Sequence, residues 1–165
     1  MSIDKLPTTP AGLRRLNQRL AAARQRYLDI CADNEDAAGA GDTSVWHDNF
    51  AYEENQRQMH AAARTVRDLE HLLRRMQVVH PVERPSQATV GTEVTFSDED
   101  GEEHRWILGG YEDSDPAEGR VAYTTPLGQA LMGARPGELR QWPRGGRRVE
   151  IEITAICRAH SETSA

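Results

Sequence analysis

A chain of 165 residues, 38% apolar and 28% charged, buries only a modest core in any one unit, which leaves room for one ordinary domain or two small ones. Its net charge of −6 excludes a general nucleic-acid-coating protein, which needs a large excess of Lys and Arg. No apolar run is long enough for a signal-peptide core or a membrane span, and the two cysteines, Cys31 and Cys157, have neither metal-ligand spacing nor a disulfide framework. A cytoplasmic protein without membrane contact is the expectation.

Thr8-Thr9-Pro10 supplies a hydroxyl N-cap followed by proline at the first helical position, where its missing N–H is harmless, so a helix should start there. Residues then fall at Leu13, Leu16, Leu20, Ala23, Tyr27, Ile30, Asn34 and Ala37, in steps alternating between three and four. That spacing is a heptad seam. A second seam runs through Tyr52, Asn55, Met59, Ala62, Val66, Leu69, Leu73 and Met76. In an antiparallel pair, facing positions have numbers that add to a constant, and here the constant is 89. Leu13 then meets Met76, Leu16 meets Leu73, Leu20 meets Leu69, Ala23 meets Val66, Tyr27 meets Ala62 and Ile30 meets Met59. The same rule pairs Asn34 with Asn55, the only amides on either seam, which satisfy each other only in this register. The seams are thus satisfied within one chain, predicting an intramolecular hairpin over residues 8–80 and a monomer.

Gly39 and Gly41 break the pattern, which puts the tip at 41–48. Arms of roughly 30 residues reach on the order of 45 Å at the helical rise. Between Tyr27 and Gln56 stand eight acids, Asp29, Asp33, Glu35, Asp36, Asp42, Asp48, Glu53 and Glu54, without one Lys or Arg. The base of the first helix carries Arg14, Arg15, Arg19, Arg24 and Arg26, and the second returns through Arg57, Arg64, Arg67, Arg74 and Arg75. An acidic apex on a largely basic stalk suits a positive or metal-bearing site, and hard Mg²⁺ takes such carboxylates. The plain alternative is a solvated acidic turn. Trp46 and Phe50 lie where little local core exists, and capping the seam against Ala37 and Ala38 is their simplest use. His47 is read as neither ligand nor proton shuttle.

Pro81 and Pro85 end the second helix, and a small α+β domain is expected over 86–158. Thr89 to Phe96 and His104 to Leu108 read as a strand hairpin, followed by a strand at Arg120 to Tyr123. Thr125-Pro126 starts a short helix. Glu138 to Trp142 and Arg147 to Cys157, the latter alternating through Val149, Ile151 and Ile153, complete the sheet around a turn at Pro143 to Gly146. Residues 159–165 read as a disordered tail. A sheet wrapping a short helix suits an FKBP-like fold, which by itself confers no isomerase activity. Arg144, Arg147 and Arg148 make the last turn basic.

Several strings together resemble the GreA/GreB family of bacterial transcript-cleavage factors over roughly residues 7 to 157. Thr9-Pro10-Ala11-Gly12-Leu13 resembles the family's Thr-Pro-x-Gly helix start, and Leu72 to Val79 is similar to its exit from the second helix. Thr125 to Gly133 looks like the family's Ser-Pro-led segment ending in Leu-Ile-Gly, and Pro143 to Ile153 resembles its Thr-Pro-Gly-Gly turn and final strand. At the tip, Asp48-Asn49 and Tyr52 match the family's Glu-Asn and Tyr, while Gly41-Asp42 matches its Gly-Asp across about three inserted residues. The resemblance implies a factor that is not an enzyme by itself. It would bind RNA polymerase, enter its secondary channel and lend Asp42 and Asp48 to a catalytic Mg²⁺ that cleaves backtracked RNA. Nascent RNA is touched only indirectly, and no small-molecule substrate is implied. Trp46, Asn49, Tyr52, Arg144, Arg147 and Arg148 are the expected partner contacts. The longer tip, with Trp46 at its apex, equally fits a non-cleaving channel regulator, as in homologues that inhibit polymerase. A peptidyl-prolyl isomerase is the reading from another class, with Phe96, Trp106, Tyr111, Tyr123 and Trp142 the only aromatics to line a proline pocket.

Overall fold

In the computed structural model, residues 5–39 and 47–162 are described, without the side chains of 34–39, 47–49 and 51. Strand β1 (Leu6–Thr8) leads into helix α1 (Pro10–Gly39), and helix α2 (His47–Arg75) leads out into strand β2 (Met76–Val78). Then come β3 (Thr92–Ser97), β4 (Glu103–Gly109), β5 (Arg120–Ala122), helix α3 (Pro126–Leu131), β6 (Leu139–Arg144) and β7 (Arg147–Arg158). The chain divides into one unit of Arg15–Arg74 and another made of Met1–Arg14 with Arg75–Ala165.

Thr9 caps α1 as its hydroxyl predicts. Its Oγ1 accepts from the Gly12 N–H at 2.9 Å and its carbonyl accepts from the Leu13 N–H at 2.9 Å. Within the hairpin unit Leu16, Leu20, Ala62, Leu69 and Leu72 are buried. Each buried leucine contributes roughly 2 kcal/mol by leaving water. The Arg24 guanidinium lies 2.7 Å from the Glu70 carboxylate. Both residues flank the Leu20–Leu69 and Ala23–Val66 layers, as the register adding to 89 requires. A groove of about 290 Å³ lined by Ala23, Arg26, Gln58, Ala61, Ala62 and Thr65 continues in the same sense, numbers rising on α1 as they fall on α2. The arms are therefore antiparallel. Two details differ from the seam as read. Leu72 is buried while Leu73 is only half-buried, so the contact stripe shifts by one residue near the end of α2. Asn55 Oδ1 is buried and takes no hydrogen bond among the described residues, and its expected partner Asn34 has its side chain outside them.

Met76 lies just beyond the end of α2. It leaves the helix and pairs with Leu6 in a two-stranded parallel sheet that continues through Pro7–Gln77 and Thr8–Val78. Beyond the helix end the chain thus continues in backbone pairing with β1, and the unit that holds the two arms runs over Arg15–Arg74, inside the hairpin read over 8–80.

The larger sheet has the order β5-β4-β3-β7-β6, antiparallel except for the β4–β5 edge pair. Val149, Ile151 and Ile153 of β7 face a core shared with Val94, Phe96, Leu108, Val121, Leu127 and Leu131, so α3 packs on one face of the sheet. This is the α+β body expected. Strand β3 begins at Thr92 rather than Thr89, because Val90-Gly91 forms a turn with Gly91 at φ +91°. The basic turn is tighter than the Pro143-to-Gly146 reading. Arg144 pairs with Arg147 across Gly145 and Gly146, whose φ values of +58° and +82° fit a two-residue hairpin turn. Pro143 is tolerated in β6 because β6 is an edge strand. The expectation of a disordered tail from 159 is overturned for its first part. His160–Glu162 forms a 3-10 turn, and Glu162 is fully buried.

Candidate functional site

Asp42 and Trp46 lie outside the described residues; Asp48 and Asn49 are described only as backbone in the first turn of α2. The first described side chains beyond them are strongly exposed. Phe50 is 70% and Tyr52 57% exposed, so neither closes the seam, and the capping use expected of Phe50 does not hold. Among the described residues nearby, Arg57 lies 3.9 Å from Glu53 and 3.5 Å from Glu54, both exposed pairs, while Asp29 accepts a hydrogen bond from Gln25 at 2.8 Å.

In the other unit, the β6–β7 turn presents the three arginines read from the sequence. Arg144 rests its guanidinium 4.9 Å above the Trp142 ring, a cation–π contact that holds it in place. Arg147 and Arg148 are exposed.

A third cluster was not legible in the sequence. Arg120 is nearly buried, with its guanidinium 3.1 Å from Asp113, 3.7 Å from Asp115 and 3.8 Å from Glu162. Glu162 in turn accepts a hydrogen bond from Thr9 Oγ1. The N-cap of α1 is thereby tied to the far end of the chain. Gly12 belongs to the same arrangement, since a Cβ there would stand 2.4 Å from Thr8 Oγ1 and 3.0 Å from Asp113 Oδ2. The Thr-Pro-x-Gly start therefore serves close packing as well as capping. The only signal for Arg120 was an arginine in an otherwise apolar strand, and Glu162 gave none.

A family model described as transcription elongation factor, GreA/GreB, C-term, matches residues 83–158. The transcription elongation factor GreA of Sphingopyxis alaskensis is 34% identical across 93% of this chain and 89% of its own length. GreA of Novosphingobium aromaticivorans is 31% identical over the same shares. Among solved structures, GreA factor homolog 1 (Gfh1) of Thermus thermophilus is 19% identical, with a TM-score of 0.43 over 92% of this chain and 98% of its own. With such likeness to GreA along nearly its whole length, this chain belongs to the GreA/GreB family of transcription elongation factors.

Proposed function

We propose that this chain binds bacterial RNA polymerase as a monomer, places its hairpin in the secondary channel and uses the acidic apex to assist cleavage of backtracked RNA. The reading rests above all on one observation, the run of eight acids unbroken by Lys or Arg from the last turns of α1 through the first turns of α2, in a chain of the GreA/GreB family. Asp42 and Asp48 are the carboxylates that would hold Mg²⁺ together with ligands of the polymerase, and two carboxylates with water form a donor set that hard Mg²⁺ accepts. When bound, the ion supplies charge stabilisation and an activated water for phosphodiester hydrolysis. The factor is not an enzyme alone: it lends side chains to the polymerase's own site. Phe50 and Tyr52, exposed beside the apex, with Trp46 and Asn49, meet the channel wall. Arg144, Arg147 and Arg148 contact the polymerase surface, and nascent RNA is met only through the shared ion.

A stalled complex with extruded 3′ RNA should release short fragments when the protein and Mg²⁺ are added. Asp42→Ala with Asp48→Ala should reduce that release at least about 100-fold, the scale of losing charge stabilisation in a transition state. Unchanged release by the double variant defeats the assignment. The longer tip, with Trp46 near its apex, supports a second reading, a channel plug that slows transcription without cleavage. In that case no fragments appear, transcription falls, and Trp46→Ala restores it.

A further inference from the structure

We propose that Asp98, Glu102 and His104 form a binding site for a divalent transition ion of the Zn²⁺ class on the turn joining β3 and β4. One ligand atom from each of the three lies within 4.8 Å of the others. The geometry is prepared on both sides. Asp98 Oδ1 accepts the backbone N–H of Asp100 at 3.1 Å and of Glu102 at 3.0 Å, which fixes the carboxylate and points Oδ2 at the imidazole. His104 stacks on buried Phe96, with ring centroids 5.3 Å apart and planes at 29°, so its ring is fixed from behind with Nε2 toward Asp98. Nε2 and Oδ2 stand 2.8 Å apart. Two ligands on a tetrahedral Zn²⁺ stand about 3.4 Å apart, given bonds near 2.0–2.1 Å, so an opening well under 1 Å admits the ion. Glu102, exposed on the same turn, swings in as the third ligand, and water completes the shell.

An imidazole among the donors separates this site from one for Mg²⁺ or Ca²⁺, which take oxygen ligands. Binding places the imidazole proton on Nδ1 and leaves Nε2 for the metal. The site is therefore chemically different from an Asp pair for Mg²⁺ and does not depend on the hairpin apex.

Zn²⁺ titrated calorimetrically into the full chain, with millimolar Mg²⁺ present to fill hard-ion sites, tests this directly. The expected result is one Zn²⁺ per chain, with amide resonances of residues 97–104 the ones that move. His104→Gln keeps a donor for Asp98, so the turn stays folded, and circular dichroism checks that it does. Affinity should fall about tenfold or more in His104→Gln and about threefold or more in Glu102→Gln, as for lost ligand-sphere groups. Absence of binding, a smaller loss in either variant, or resonance changes confined to other residues overturns the proposal.

Discussion

Gly128 shows how a single atom is excluded by the surrounding backbone. A Cβ there would stand 2.0 Å from the Ala122 carbonyl oxygen, and backbone cannot yield as a side-chain tip does. Gly128→Ala should lower stability by about 2 kcal/mol or more in urea unfolding, despite alanine's better helix propensity. Glu162 is the acidic counterpart. Fully buried, it faces the Arg120 guanidinium and receives the Thr9 hydroxyl, so Glu162→Ala leaves a nearly buried cation short of one of its acids. A loss of roughly 3 kcal/mol is expected by the same measurement. Nothing in a polar stretch such as His160-Ser161-Glu162 marks one acid as interior, because its partners Thr9 and Arg120 are both remote in sequence and burial there is decided by the assembled fold. Asp98 sets a pH dependence. The hydrogen bond from His104, helped by the N–H groups of Glu102 and Asp100, holds its carboxyl below the ordinary aspartate value against the opposing effect of burial. A carboxyl lowered in this way contributes stability above its unfolded pKa and loses it as pH falls through the lower, folded value. Thermal melts from about pH 6 to about pH 2 should show Asp98→Asn flattening the acid limb below about pH 4.

At the scale of elements, the hairpin was the most legible part, since a three-four spacing on two arms carries its own register. Arg24 and Glu70 sit where that register places flanking charges. Their salt bridge is exposed and contributes under about 1 kcal/mol, so it reports alignment more than it enforces it. A Leu20→Cys, Leu69→Cys pair, in a background with Cys31 and Cys157 replaced, should crosslink within one chain under mild oxidation, whereas Leu16→Cys with Leu69→Cys should not. Efficient crosslinking of the second pair would show the alignment to be slipped. Strands β1 and β2 escaped the sequence reading for the opposite reason. Leu6-Pro7-Thr8 and Met76-Gln77-Val78 are too short to show alternation, and their pairing spans the whole hairpin. The β6–β7 turn was legible in composition but not in length, because Pro143 signals a turn by habit and an edge strand by position.

Taken as a whole, the molecule divides its order unevenly. Strand β3 is paired on both sides and buries Val94 and Phe96 completely, while the hairpin unit rests on one narrow stripe of leucines. Hydrogen exchange should therefore be slowest in β3 and β7 and faster along α1 and α2 of the hairpin unit, and equal protection would contradict this division. Among the described residues no helix is long and apolar enough to cross a membrane. The residues to which the proposed function assigns the apex, Asp42, Trp46, Asp48 and Asn49, were legible only as chemistry and family pattern, since neither of the three-four seams read from the sequence includes them.

The first fourteen residues fold with the stretch from Arg75 onward, and Thr9 is joined to Glu162. In topological terms the hairpin is an insertion between two halves of one body. A ribosome must therefore deliver β7 before that body can close, although both arms of the hairpin emerge much earlier. The same layout makes residues 15–74 a cassette: evolution or an engineer can exchange it, altering what the apex carries while leaving the sheet's own sequence intact.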